Sequence, residues 1–307
     1  MSLLPLRVSL PESDLREALG PIDGVEFVDW PMEGPAPVPN IDLVVTPYMG
    51  ASNRVAHLAG VETRLVQSQS IGYDGIDRLL PAGHVFANAA TVHETSTAEL
   101  TLALILASQR GIPDFVRAAE QGEWAPAHHP SLADRTVLLV GYGGVGAAIE
   151  ARLLAFETTV VRVARTARSD ARGEIYAMDA LPTLLPHADI IVIGVPLSES
   201  TTRLVDDAFL SLMRDGALLV NIARGQVADT DALLAHASSG RLRLALDVTD
   251  PEPLPHGHPL FALPNVLVSP HVGGASSAMR PRMARLIREQ IERMARGDAP
   301  VNVVLRS

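Results

Sequence analysis

Arg224, Glu252 and His271 each stand just beyond a short apolar run, residues 217–223, 242–248 and 266–269. Taken singly, a strand-end arginine reads as a surface cation, a glutamate between prolines as a loop charge and a histidine after proline as a turn residue. Together they are a guanidinium that can grip a carboxylate through a planar fork, an imidazole that can give up a proton and a carboxylate that can orient that imidazole. If the three runs are neighbouring parallel strands, all three groups leave the sheet at one edge.

A glycine motif indicates what would stand beside them. Thr136–Val140 is apolar and β-branched with no polar face, which predicts a strand buried on both sides of a parallel sheet. Gly141, Gly143 and Gly146 follow as G-x-G-x-x-G, with Gly144 and Val145 between the last two, and Ile149, Leu153 and Phe156 then recur at i, i+4 and i+7. Strand, glycine turn and helix arrive in the order that brings bare backbone N–H groups to a pyrophosphate at a helix N-terminus. The motif alone is a weak signal; with both flanks present it predicts a dinucleotide site.

The coenzyme can be read further along. A site built for NAD carries Asp or Glu about 20 residues past the glycines, on the ribose 2′-hydroxyl. Here the next expected strand, 159–164, ends at Ala164, followed by Arg165, Thr166, Ala167 and Arg168. Two guanidiniums in place of an acid suit the extra phosphate of NADP, so NADP (NADPH) is the expected coenzyme and NAD a possible one. Beside a nicotinamide, the trio suits reduction of a 2-oxo acid. Arg224 would bind the substrate carboxylate and polarise the ketone, His271, protonated, would donate to the developing alkoxide, and Glu252 would orient the ring and stabilise the imidazolium.

Composition removes other chemistries. The chain has 307 residues, 47% of them hydrophobic, enough for about two domains. It has no cysteine, and all 25 residues of its Lys+Arg total are arginine. Disulfides, thiolate nucleophiles, Schiff-base lysines and a Walker-type lysine are thereby excluded. A net charge of −10 argues against nucleic acid as a partner. The apolar runs fall short of the ~18 residues a membrane span needs, and Pro5, Arg7 and Pro11 interrupt any signal-peptide core. A soluble, cytoplasmic protein is expected. His128 and His129 read as a solvated loop pair, and no metal site is assigned.

Short strands are expected at 6–10, 25–30, 41–46, 64–69 and 85–88, an α/β pattern upstream of the glycine motif. Two loops there could meet a small ligand: Tyr48, Met49 and Gly50 after the third strand, and Ser70, Ile71 and Gly72 after the fourth. Ser96-Thr97-Ala98-Glu99 is spelled as a capping box opening a helix to Arg110, which would carry the chain between domains. Past the glycine helix, strands are expected at 159–164, 189–194, 217–223, 242–248 and 266–269. The tail 276–296 should pack as a helix through Met279, Met283, Leu286, Ile287, Gln290, Ile291 and Met294, and the residues after Gly297 should return to the first domain. The domains are therefore set at 1–98 plus 279–307 and at 99–278.

GYGGVG, VPLSESTTRLV, NIARGQVADTDALL, ALDVTDPEPLP and SPHVGG resemble, in order, the successive signatures of the D-isomer-specific 2-hydroxyacid dehydrogenases, over nearly the whole chain. Arg224 and Glu252 lie 28 residues apart, Glu252 and His271 19 apart, in keeping with that family. The resemblance implies an α/β fold of two Rossmann-like doubly wound parallel-sheet domains. The coenzyme domain would be inserted into a flavodoxin-like substrate domain and would form a homodimer. It implies Arg224 as substrate-binding arginine and Glu252 with His271 as acid/base pair. Asp247 would contact the nicotinamide carboxamide, and Thr97, Val195, Pro196, Thr201, Ile222, Ala223, Gly273 and Gly274 would line the coenzyme site. Ile71 and Gly72 would hold the substrate carboxylate, and Tyr48 and Met49, on the loop after the third strand, are the other residues expected to meet the substrate. The arginines after Ala164 resemble the NADPH-using glyoxylate and hydroxypyruvate reductase branch. Glu252 stands where formate dehydrogenases carry Gln, so formate is not the expected substrate. Tyr73, Asp74 and His93-Glu94-Thr95 depart from the family pattern. The alternative is a dinucleotide-sensing binding protein of the corepressor type, without significant turnover.

Overall fold

The computed structural model describes residues 5–48 and 50–307. The chain divides into two compact units, residues 1–93 with 276–307 and residues 94–275.

In the first unit the strands β1 (Leu6–Leu10), β2 (Val25–Asp29), β3 (Leu43–Val45), β4 (Leu65–Gln67) and β5 (Val85–Ala87) form a parallel sheet in the order β5-β4-β3-β1-β2. The C-terminal strand Val303–Arg306 adds to β5 antiparallel, the one departure from the expected parallel sheet. Alternation of side chains across the pleat builds two cores. Leu43, Val45 and Leu65 meet the buried stripe of the Met279–Arg296 helix, whereas Val44, Val66 and Phe86 pack on Trp30, Met32, Val55 and Leu58. Gln290, the polar member of that stripe, is fully buried. Its amide bonds Gln67 Oε1 at 2.9 Å and the Val301 carbonyl at 2.9 Å, which ties the returning chain to the sheet.

In the second unit β6 (Thr136–Val140) and β7 (Thr159–Val163) are followed by a small antiparallel hairpin, β8 (Arg168–Asp170) and β9 (Gly173–Ile175). Then come β10 (Ile190–Ile193), β11 (Leu218–Asn221), β12 (Arg243–Leu246) and β13 (Val266–Val268), in a parallel sheet ordered β13-β12-β11-β10-β6-β7. Beyond β7, Tyr176 alone makes a parallel bridge to Val163, so the third strand of a Rossmann half is reduced to one residue. One sheet face packs on Leu181, Leu185, Phe209 and Leu233. The other packs on Ile149 and Leu153 of the Gly144–Leu153 helix and on Leu102 and Ile105 of the Glu94–Arg110 helix.

The Glu94–Arg110 helix begins two residues before the expected cap. Ser96 lies inside it and is buried, so the capping-box spelling does not mark its start. The boundaries between units accordingly fall at 93/94 and 275/276, where 98/99 and 278/279 were expected. The tail helix starts at Met279, with Ser276 in the preceding turn accepting from Ala278 N at 3.2 Å.

Candidate active site

The glycine turn sits at the switch point of the second sheet, between β6 and β10, where the strand order reverses. Gly141 has φ +109°, and a Cβ there would lie 2.5 Å from the Gly194 carbonyl carbon. A Cβ at Gly146 would lie 2.6 Å from the Gly141 carbonyl oxygen, so the helix approaches the turn closely only because both side chains are missing. Gly143 differs: nothing lies within 4 Å of its Cβ position, and it is exposed. That open backbone is the surface a pyrophosphate would need, and the residues present fit a dinucleotide. Val145 follows in the first turn of the helix. Glu94 packs on Gly144, its Cγ 3.2 Å from the Cβ position.

Around the turn, Val195 and Ala223 are buried, Ile222 is half-buried and Pro196 is exposed. Ile222 reaches within 3.5 Å of the Gly194 Cβ position. Thr97, on the long helix, stands 3.4 Å from the corresponding position on Gly273, so these two expected residues meet. Thr201 serves its own loop, donating to Pro196 O at 2.7 Å and accepting from Ser198 N at 2.8 Å. Gly274 is half-buried in the turn after His271. Arg165, Thr166 and Arg168 are all exposed beyond β7. Arg168 donates to Tyr142 O at 2.8 Å, within the glycine turn itself.

His271 and Glu252, distant in sequence, meet: His271 Nδ1 lies 2.6 Å from Glu252 Oε1. A carboxylate only accepts, so Nδ1 carries a proton and Nε2 is the nitrogen left for a substrate. The imidazole is placed by an unusual turn, with φ 53° at His271. Asp247, 3% exposed at the end of β12, holds that turn together. Its Oδ1 accepts from Ser269 Oγ at 2.7 Å and Val272 N at 2.9 Å, its Oδ2 accepts from Gly273 N at 2.9 Å, and its carbonyl accepts from His271 N at 2.7 Å. Arg224 leaves β11 at the same sheet edge, half-buried, its Nη1 on Ala223 O at 2.7 Å. Asn221 braces this corner, donating to Arg224 O at 3.1 Å and accepting from Ala223 N at 3.0 Å. A Cβ at Gly225 would fall 1.8 Å from Thr249 O, so only glycine lets the arginine loop lie against the segment that leads to Glu252.

In the first unit, the loops after β3 and β4 touch: Ser70 Oγ donates to Tyr48 O at 3.1 Å. The Ile71 carbonyl is held by Asn88 Nδ2 at 2.9 Å, while the N–H groups of Ile71 and Gly72 donate to no other described residue. Met49 lies outside the described residues. Sequence reasoning assigned His93 no role, yet its ring stacks on Tyr48 at 5.5 Å and its Nε2 meets Gln69 O at 2.6 Å. Nor did it single out Glu150 and Arg172, which contact Tyr142. The available signal was an acid at i+4 after Gly146, on the inward side of the helix. His129, expected in solvent, is half-buried against Gly111 and edge-on to Phe115, ring centroids 5.2 Å apart.

Residues 102–273 match the family model of the D-isomer specific 2-hydroxyacid dehydrogenase, NAD binding domain. The chain belongs to that family. A glyoxylate reductase of Pyrococcus horikoshii is 33% identical over 282 residues, 88% of this chain and 84% of its own. A D-isomer specific 2-hydroxyacid dehydrogenase from Xanthobacter autotrophicus, solved with NADPH and MES, is 28% identical with a TM-score of 0.82, covering 99% of this chain and 98% of its own. An NADPH-dependent glyoxylate/hydroxypyruvate reductase from Sinorhizobium meliloti, solved with NADP and malonate, is 25% identical with a TM-score of 0.79, covering 98% and 97%. The family's oxidoreductase chemistry, between 2-oxo and 2-hydroxy acids on an NAD(P)-binding domain, is therefore this chain's class of activity. The Rossmann-like α/β fold is shared with the two solved structures. Among the described residues no helix is long and apolar enough to cross a membrane.

Proposed function

We infer that the protein is an NADPH-preferring reductase of small 2-oxo acids, glyoxylate and hydroxypyruvate among them, yielding the D-2-hydroxy acid. The observation that carries this reading is the 2.6 Å contact between His271 Nδ1 and Glu252 Oε1 at the sheet edge that also bears the glycine turn. A bound reduced nicotinamide supplies hydride to the substrate carbonyl carbon. The chain's part is electrostatic and protic. Arg224 holds the substrate carboxylate, and His271 delivers the Nε2 proton to the carbonyl oxygen as negative charge develops there. Glu252 keeps the ring oriented and stabilises the imidazolium before transfer. Tyr48, Ile71 and Gly72 of the first unit are assigned to the substrate on the loops that carry them.

The coenzyme would be held by Thr97, the 141–146 turn, Val195, Pro196, Ile222, Ala223, Gly273 and Gly274. The preference for NADP rests on the exposed Arg165 and Arg168 and on the absence of an acid at Ala164. The relatives named as reductases favour this reading over a dinucleotide-sensing binding protein.

Loss of coenzyme absorbance, followed with a panel of 2-oxo acids and with both NADPH and NADH, tests the reading. Turnover should be highest with NADPH and the smallest acids, and Arg165→Asp should erode the coenzyme preference. His271→Ala should lower turnover about 10²- to 10⁴-fold, the range of a lost general acid; near wild-type turnover in that variant would end the role given to the imidazole.

A homodimer through the second unit is part of the same proposal. The Ile112–Glu120 helix buries none of its residues, and Ile112, Phe115, Val116 and the nearby Trp124 are exposed at 48%, 38%, 52% and 95%.

A further inference from the structure

Behind the glycine turn lies a charge network outside the acid/base site. Glu150, on the Gly144–Leu153 helix, and Arg162, in β7, are each 3% exposed, and their charged groups are 3.6 Å apart. Tyr142, between the first two glycines, donates its hydroxyl to Glu150 Oε2. Its ring centre lies 5.2 Å from the Arg162 guanidinium carbon. Two more charges arrive from the β8–β9 hairpin. Asp170 accepts Arg162 Nη1 on both oxygens at 3.0 Å. Arg172 places Nη1 2.7 Å from Glu150 Oε2 and donates Nη2 to the Tyr142 hydroxyl at 3.0 Å. Burial and the Glu150 carboxylate hold the Tyr142 phenol above its ordinary pKa, so it remains the donor.

Two acids and two guanidiniums cancel in charge. Only Glu150 and Arg162 are buried, the Asp170 and Arg172 side chains being 37% and 46% exposed. A buried ion pair is often no more stabilising than apolar side chains of the same volume and exposed pairs add little, so stability alone does not account for the network. What the network does is hold position. The hairpin has three residues in each strand, all exposed except Ile175, and an isolated two-stranded hairpin is marginal in water. Its ties run to the glycine turn, the glycine helix and β7. The hairpin begins at Arg168, which donates to Tyr142 O, and the segment entering it carries Arg165, which makes no ion pair among the described residues. Where those two guanidiniums sit therefore depends on where the hairpin is held.

We propose that Arg172, gripped by Glu150 and Tyr142, is a positioning residue for coenzyme selectivity. It straps the 168–175 hairpin to the glycine turn and so sets Arg165 and Arg168 for a ribose 2′-phosphate. The ligand class is a 2′-phosphorylated adenosine, and the inference rests on the NADP reading above.

Calorimetric binding of 2′,5′-ADP and of 5′-AMP to the whole chain tests it without turnover. Wild type should bind 2′,5′-ADP more tightly. Arg172→Gln should lower the ratio of the two affinities about tenfold, the value of a charge-assisted hydrogen bond, with 5′-AMP affinity held within about twofold. Arg172→Lys should restore part of the ratio. Because Arg172 acts through Arg168, the losses in Arg172→Gln and Arg168→Ala should combine less than additively. Glu150→Gln should reproduce Arg172→Gln; if that buried variant fails to fold, the Arg172 pair decides. An unchanged ratio in Arg172→Gln, beside a discriminating wild type, would overturn the strap and leave the coenzyme reading standing. Equal losses for both ligands, or full additivity with Arg168→Ala, would also overturn it. A wild type that binds the two alike would remove the coenzyme reading, and the strap with it.

Discussion

Both carboxylate oxygens of Asp247 face the turn that carries His271, filling three of about four acceptor positions. The sequence reading placed this residue against the nicotinamide carboxamide; its first duty is to hold a histidine at positive φ. Asp247→Asn turns one oxygen into a donor that faces other donors, which costs about 1–3 kcal/mol. It should lower the free energy of unfolding by that amount, read from urea unfolding, and reduce turnover by letting the imidazole drift from Glu252. A variant with wild-type stability and turnover would contradict the arrangement. His271 and Glu252 were legible in the sequence because their residue types and flanking prolines mark them. The work of Asp247 was not, because its partners are mostly backbone N–H groups, which leave no trace in residue identity.

At the scale of elements, apolar periodicity carried the reading well. The Met279–Arg296 helix buries the stripe its spacing predicts, and strand positions agree to within a residue or two. The capping-box spelling misplaced the start of the long helix, which runs from Glu94 and holds Ser96 buried inside it. Gln290 shows the other limit. A glutamine in an apolar stripe looks like a tolerated imperfection, yet it bonds Gln67, Val301 N at 3.1 Å and Val301 O. Gln290→Leu would leave those buried groups unsatisfied and should destabilise the first unit by about 1–3 kcal/mol, read from urea unfolding. A stabilised variant would mean the pair contributes nothing beyond its volume.

For the molecule as a whole, the exposed face of the Ile112–Glu120 helix bears on assembly. Light scattering behind size exclusion should give a dimer for wild type and a monomer for Phe115→Glu with Val116→Asp, both exposed on that helix. A monomeric wild type would remove the dimer proposal. The sequence by itself determined the α/β class, the alternation of strand and helix, the glycine turn and the residue types available for chemistry, because these follow from local periodicity and from side chains that are present or absent. Tertiary structure decided which distant groups meet: the histidine with its glutamate, the aspartate with the turn beneath it and the hairpin with the glycine helix. Those contacts depend on sheet order and on backbone approach at Gly141, Gly146 and Gly225, where a missing Cβ matters only once another segment of chain lies against it.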